Sequence, residues 1–145
     1  MTHNRSVSIL KFASAFCVVV GLMMVAGLMP PLRPVFEIFI DLAFLPIDGT
    51  QSLSSDSDLL LGAISGGLLA GLGAMAWQVT SHVYAENPNL GRRILSIGLL
   101  SWFVTDSAGS ILAGAWFNVV LNSGFLALFM VPMWVATADS RTHTA

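Results

Sequence analysis

Long apolar runs alternate with short polar segments along the chain, and four of the runs have the length of a membrane crossing. A hydrocarbon layer of about 30 Å takes roughly 20 residues of helix. The first run extends from about Ile9 to Met29 around an unbroken FASAFCVVVGLMMVAGLM. Pro30 and Pro31 close it, since proline lacks an amide hydrogen and its ring clashes with the preceding turn. A second run covers about Leu59 to Val79. From Ile94 to Ala136 the chain stays apolar for about twice one span, which predicts a hairpin of helices over 94–113 and 116–136 turning at Gly114. The pattern therefore predicts an all-α, four-helix integral membrane bundle, one domain over residues 1–145.

The segment 30–58 between spans one and two is more than a linker. VFEIFIDLAF places Glu37 and Asp41 four apart on one helical face, with Arg33 a turn earlier. Phe36, Phe39, Ile40 and Phe44 can occupy the opposite side, which predicts a short amphipathic helix lying on the outer, periplasmic membrane surface. PIDG at 46–49 is a turn signal, and SLSSDSD offers capping residues for span two.

Basic residues set the orientation. With four spans, Arg5, Lys11, Arg92, Arg93 and Arg141 all fall on one side, and Arg33 alone falls on the other, among Glu37, Asp41, Asp48, Asp56 and Asp58. Both ends of the chain are accordingly expected in the cytoplasm of a bacterial cell, with the spans in its inner membrane. Trp77, Tyr84 and Trp134 are expected near the inner surface, Trp116 near the outer one and Trp102 within the bundle. A cleaved secretory signal is the rival reading of the start, with VAG at 25–27 as a loose cleavage site. The apolar stretch exceeds the roughly 7–15 residues of a signal core, so the span is expected to be retained.

Composition agrees with lipid as solvent: 55% of residues are hydrophobic and 10% charged, too few to coat a soluble domain of this size. The net charge of −2 gives nucleic acid nothing to bind. Cys17 is the sole cysteine, which excludes an internal disulfide, a CxxC redox pair and a cysteine metal cage. His3, His82 and His143 all lie outside the spans, so an intramembrane haem has no histidine ligands, and the methionines stand without a thiol or imidazole that would mark a copper site. Asp48, Asp56 and Asp58 lack calcium-loop spacing and are expected to be solvated. Phosphate-binding glycine loops, HExxH and GxSxG are absent, so no enzyme and no cofactor is expected.

Asp106 carries the most information, as the one acidic residue deep within a predicted span. A carboxylate there costs several kcal/mol unless protonated, paired or wetted, and such groups face the bundle interior. Counting from Ile94, Asp106 stands about 18 Å up, or roughly 12 Å below the outer surface; counting from Trp116, Asn122 lies roughly 9 Å down. Equal depth on neighbouring antiparallel helices predicts a polar ladder, Asp106 with Asn122 and Ser110 with Asn118, which Thr105, Ser107 and Ser123 could extend. Interhelical adhesion and a proton or cation relay both remain open for it. Span two adds a small-residue face: Gly62/Gly66 and Gly67/Gly71 each have GxxxG spacing, continued by Ala70 and Ala74, suited to packing on another span or on a second copy.

The strings FLPIDG, LLLGAISGGLLAGLGAMAWQ and SWFVTDSAGSILAGAWFNVVLNSGFLALFMVPMW resemble a family of small four-helix proteobacterial membrane proteins without assigned activity, over roughly residues 35–135. Some members of that family carry an excinuclease label, although an excinuclease ATPase is large, soluble and built on nucleotide-binding loops. The layout is also similar to DoxX-like four-helix proteins. The resemblance implies the four-helix fold and no chemistry. The expectation is thus a non-enzymatic accessory or structural membrane protein in contact with lipid, a second copy or a membrane partner. The alternative is a small proton- or cation-coupled transporter or channel using Asp106.

Overall fold

A computed structural model describes residues 1–136 as an all-α bundle. Its helices are α1 (His3–Ala26), α2 (Arg33–Phe44), α3 (Asp56–Val79), α4 (Pro88–Leu112) and α5 (Trp116–Val135), and α3 runs on into a π-helical turn, Thr80–Tyr84. Four of these stretches, 24, 29, 25 and 20 residues long, are apolar enough to cross a membrane. Three spans begin earlier than their apolar runs because polar caps extend them. Thr2 accepts the Arg5 amide at the start of α1, Ser55 and Asp58 form a reciprocal capping box on α3, and Asn87 caps α4 ahead of Pro88. At its other end α1 stops at Gly27, before the two prolines, with the Gly27 amide bonded to the Met23 carbonyl.

The hairpin turns at Gly114, whose φ of +81° lies in the left-handed region open to glycine. The Ala115 amide closes the turn on the Ser110 carbonyl at 2.8 Å. In the bundle α1 packs most extensively on α3 and more lightly on α5; α4 packs on α5 and on the π turn, while α3 and α4 meet only sparsely. At the π turn, Gly91 of α4 rests directly on the backbone of Tyr84, where a Cβ would stand 2.5 Å from that of Tyr84.

Packing divides the bundle into two halves. The half containing the start of α1 is dense: Leu10, Ala13, Cys17, Tyr84, Leu95, Phe129 and their neighbours form one buried cluster. There Tyr84 is fully buried, with its hydroxyl 2.9 Å from Ser6 Oγ. Ser6 in turn donates to the Pro132 carbonyl at 2.8 Å, so one hydrogen-bonded chain ties α1, the π turn and α5. His3 belongs to α1, its Nε2 3.2 Å from the Ala85 carbonyl oxygen. Lys11 sits over Trp77 and Arg92 over Trp134, so two of the cations at this end ride on aromatic faces.

At the opposite end lies α2. Its acidic face is covered by the following loop: Asp41, 2% exposed, accepts the Gly49 amide at 2.8 Å and the Gln51 amide at 3.4 Å, and Glu37 accepts the Leu53 amide at 3.0 Å. A loop needs partners for its backbone donors, and the i, i+4 carboxylates supply them. Asp48 is exposed, and the hydroxyl and amide of Thr50 hold its carboxyl below the usual range.

Large apolar side chains cover the outside of the spans: Phe12, Met75 and Leu112 are 65, 69 and 90% exposed. Water does not tolerate a continuous belt of this kind on helices of spanning length, whereas hydrocarbon does. The chain is a small multi-pass membrane protein.

Candidate functional site

The open half of the bundle contains a cleft of about 770 Å³. All five helices contribute to its lining, among them Met24 of α1, Phe39 of α2, Ser65 and Leu68 of α3, Trp102 of α4 and Phe125 of α5. Asp106, Asn118 and Asn122 also line it. The cleft exists because α3 leans on α1 while α4 leans on α5, leaving the α3–α4 flank unfilled at this level.

The α4–α5 hairpin positions the polar groups. Ser110 Oγ donates to Asp106 Oδ1 at 3.2 Å across one turn of α4. The Asn118 amide of α5 donates to Ser110 Oγ at 2.8 Å and to the same Asp106 Oδ1 at 3.3 Å. Asp106, Ser110 and Asn118 thus form a triangle of side chains near the Gly114 turn. Both bonds to the carboxylate end on Oδ1, so neither engages Oδ2. Asp106 itself is half-buried, whereas Ser107 and Ser110 are buried in the α4–α5 seam.

Asn122 departs from the expected ladder. Its amide points to Ser107 Oγ at 3.5 Å, the edge of hydrogen-bond range, and not to Asp106. Equal depth gives the height of a residue along its helix but not its angle around it. Ser107 lies about 100° round the helix from Asp106 and occupies the seam facing Asn122, which turns Asp106 towards the flank. Ser123 bonds the Val119 carbonyl of its own helix and stays outside the network. Thr105 lines the cleft, as do Ser65, Ser101 and Trp102, three residues absent from the sequence-predicted site. Ser101 and Thr105 share a face at i, i+4, a signal visible in the sequence, but nothing there identifies that face as the wall of a void.

The two glycine pairs on α3 have separate surroundings. Gly62 and Gly66 are buried against α1: a Cβ on Gly66 would lie 2.7 Å from the Gly21 carbonyl oxygen, and one on Gly62 2.9 Å from the end of the Leu28 side chain. Gly67 and Gly71 have nothing within 4 Å and lie on the open face. Gly73, together with Gly21 of α1, completes the tight seam: a Cβ on Gly73 would meet the Ser14 carbonyl oxygen at 2.6 Å. One residue shifts the direction by about 100°, so two interleaved GxxxG pairs cannot serve one interface.

Among the described residues, no three of His, Cys, Asp and Glu gather closely enough to hold a metal ion. The chemistry of the cleft is that of one carboxylate, two amides and several hydroxyls set in apolar and aromatic walls. Comparison of the chain with protein-family models, curated proteins and solved structures finds no match, so no family is assigned to it.

Proposed function

We propose that this membrane protein is non-enzymatic and uses Asp106 to take a cation, a proton included, into its cleft. The observation that carries this reading is a carboxylate facing a 770 Å³ space none of whose lining residues is basic. A carboxylate at membrane depth needs a proton, a counter-charge or water. A space of this size, with Asp106 and two amides on its wall, has room for water, and among the described residues no basic side chain lines it. The dense half of the bundle supplies the rigidity that keeps such a space open.

The charge distribution supports an orientation. Arg5, Lys11, Arg92 and Arg93 lie at the end where α1 begins, and Glu37, Asp41, Asp48, Asp56 and Asp58 at the other; Arg141 lies outside the described residues. By the positive-inside rule the N-terminus and the end of α5 face the cytoplasm, and α2 with Asp106's end of the cleft faces the outer side of a bacterial inner membrane. An accessory, purely structural role has its own support, since Asp106 Oδ1 is linked to α5 through Asn118.

Flux measurements in liposomes separate the two. Proton- or cation-dependent flux is expected from the native chain and its loss from Asp106→Asn, which keeps the size of the side chain. Equal flux from both proteins contradicts the Asp106 reading and leaves the structural one.

A further inference from the structure

We infer that the ligand of the cleft is a lipophilic organic cation, a single positive centre carried on apolar rings or chains. The inference rests on the cation reading above and narrows it. A bare metal ion needs a compact shell of oxygen atoms, six to eight for calcium. Here the groups beside the carboxylate are turned the other way: Ser110 and Asn118 both direct donors at Asp106 Oδ1. They turn donors, not oxygen lone pairs, towards the carboxylate and form no cage around a metal ion. The volume points the same way, since about 770 Å³ falls within the range of roughly 300–1,000 Å³ that holds small organic molecules.

The walls specify the body of the guest. Trp102 lies one helical turn before Asp106, so the indole and the carboxylate flank the same space. Phe125 meets Trp102 edge to face, with centroids 6.4 Å apart and planes at 72°, and Phe39 of α2 adds a third aromatic ring to the lining. Aromatic faces attract a diffuse cation, most strongly where water is sparse. Leu68, Leu69 and Leu72 form the apolar side on α3. A cation whose charge is spread over apolar groups loses little hydration on entering such walls, whereas a small inorganic cation loses much. The sparse contact of α3 with α4 leaves the guest a lateral route from the hydrocarbon.

The test is binding of tetraphenylphosphonium and of tetraphenylborate, an anion of the same shape, to the purified full-length protein in nanodiscs by equilibrium dialysis, each measured as the excess over its uptake by protein-free nanodiscs of the same lipid. One phosphonium ion per chain is expected, with the borate excluded. Asp106→Asn is expected to weaken phosphonium binding on the order of thirtyfold, the loss seen when one member of a desolvated charge pair is removed. Trp102→Ala is expected to weaken it roughly fivefold. Equal binding of the two ions overturns the inference and makes the cleft a site for acyl chains or other apolar matter; this comparison needs no variant to fold. Absence of phosphonium binding beside an Asp106-dependent flux of protons or small cations overturns the inference alone. Absence of both removes the cation reading with it.

Discussion

Gly66→Ala is expected to destabilise the bundle by about 2–3 kcal/mol, whereas Gly67→Ala, its immediate neighbour, is expected to change stability by less than about 1 kcal/mol. In hydrocarbon no hydrophobic force presses helices together, so α1 and α3 hold by close van der Waals fit. At Gly66 that fit is backbone against backbone: an added methyl group would stand 2.7 Å from the Gly21 carbonyl oxygen and 2.8 Å from Val25 Cγ2. A carbonyl in the middle of a helix cannot rotate away as a side-chain tip can, so the helices must separate and dispersion contacts along the seam are lost. At Gly67 there is open space, and the methyl group merely replaces lipid contact. Unfolding of the purified variants in mixed micelles measures both values. Comparable losses at the two positions would show that the α1–α3 seam is wrongly placed.

Ser6→Ala is expected to cost roughly 2 kcal/mol or more, because it orphans two groups at once. The Ser6 hydroxyl can donate one proton, which goes to the Pro132 carbonyl, so Tyr84 must be the donor in the Tyr84–Ser6 bond. All of this is enclosed: Ser6 and Tyr84 are both 0% exposed. Tyr84→Phe removes only the first donor of the chain and leaves Ser6 bonded to Pro132, so its cost is expected near 1 kcal/mol. Adding Tyr84→Phe to Ser6→Ala is then expected to recover stability, because the stranded hydroxyl is gone. The same unfolding measurements on the three variants give the cycle, and simple additivity would contradict the hydrogen-bonded chain.

Legibility in the sequence followed the physics of each feature. Spans are one-dimensional objects, set by the length of an apolar run, so their number and the Gly114 turn could be read directly. Their starts at His3, Asp56 and Pro88 lie further out because capping depends on single polar residues beyond the runs. Counting outward from Gly114 gives the common height of Ser110 and Asn118, which are bonded. The same count sets Asp106 beside Asn122 and misses the rotation that gives Asn122 to Ser107. Rotation about a helix axis depends on packing against every neighbour, and no residue spacing encodes it. The α2 carboxylates mislead for a related cause: an acidic helix face reads as solvent-facing until a neighbouring segment covers it. The cleft is the least legible feature of all. A void is the absence of contact between α3 and α4, and sequence records only what is present.

Two neighbouring thiols test most directly whether Asp106 borders a wetted cleft inside the bilayer. Thr105 lines the cleft, while Val104, 62% exposed, lies outside the lining and faces lipid. In a Cys17→Ala background, Thr105→Cys and Val104→Cys are reacted in membranes with a permanently charged methanethiosulfonate, which modifies only thiols that reach water. The structure predicts modification of Thr105→Cys and protection of Val104→Cys. Silence at both would mean that hydrocarbon or protein fills the space beside Asp106, and equal modification at both would mean that Val104 does not face lipid and that the helix is wrongly oriented.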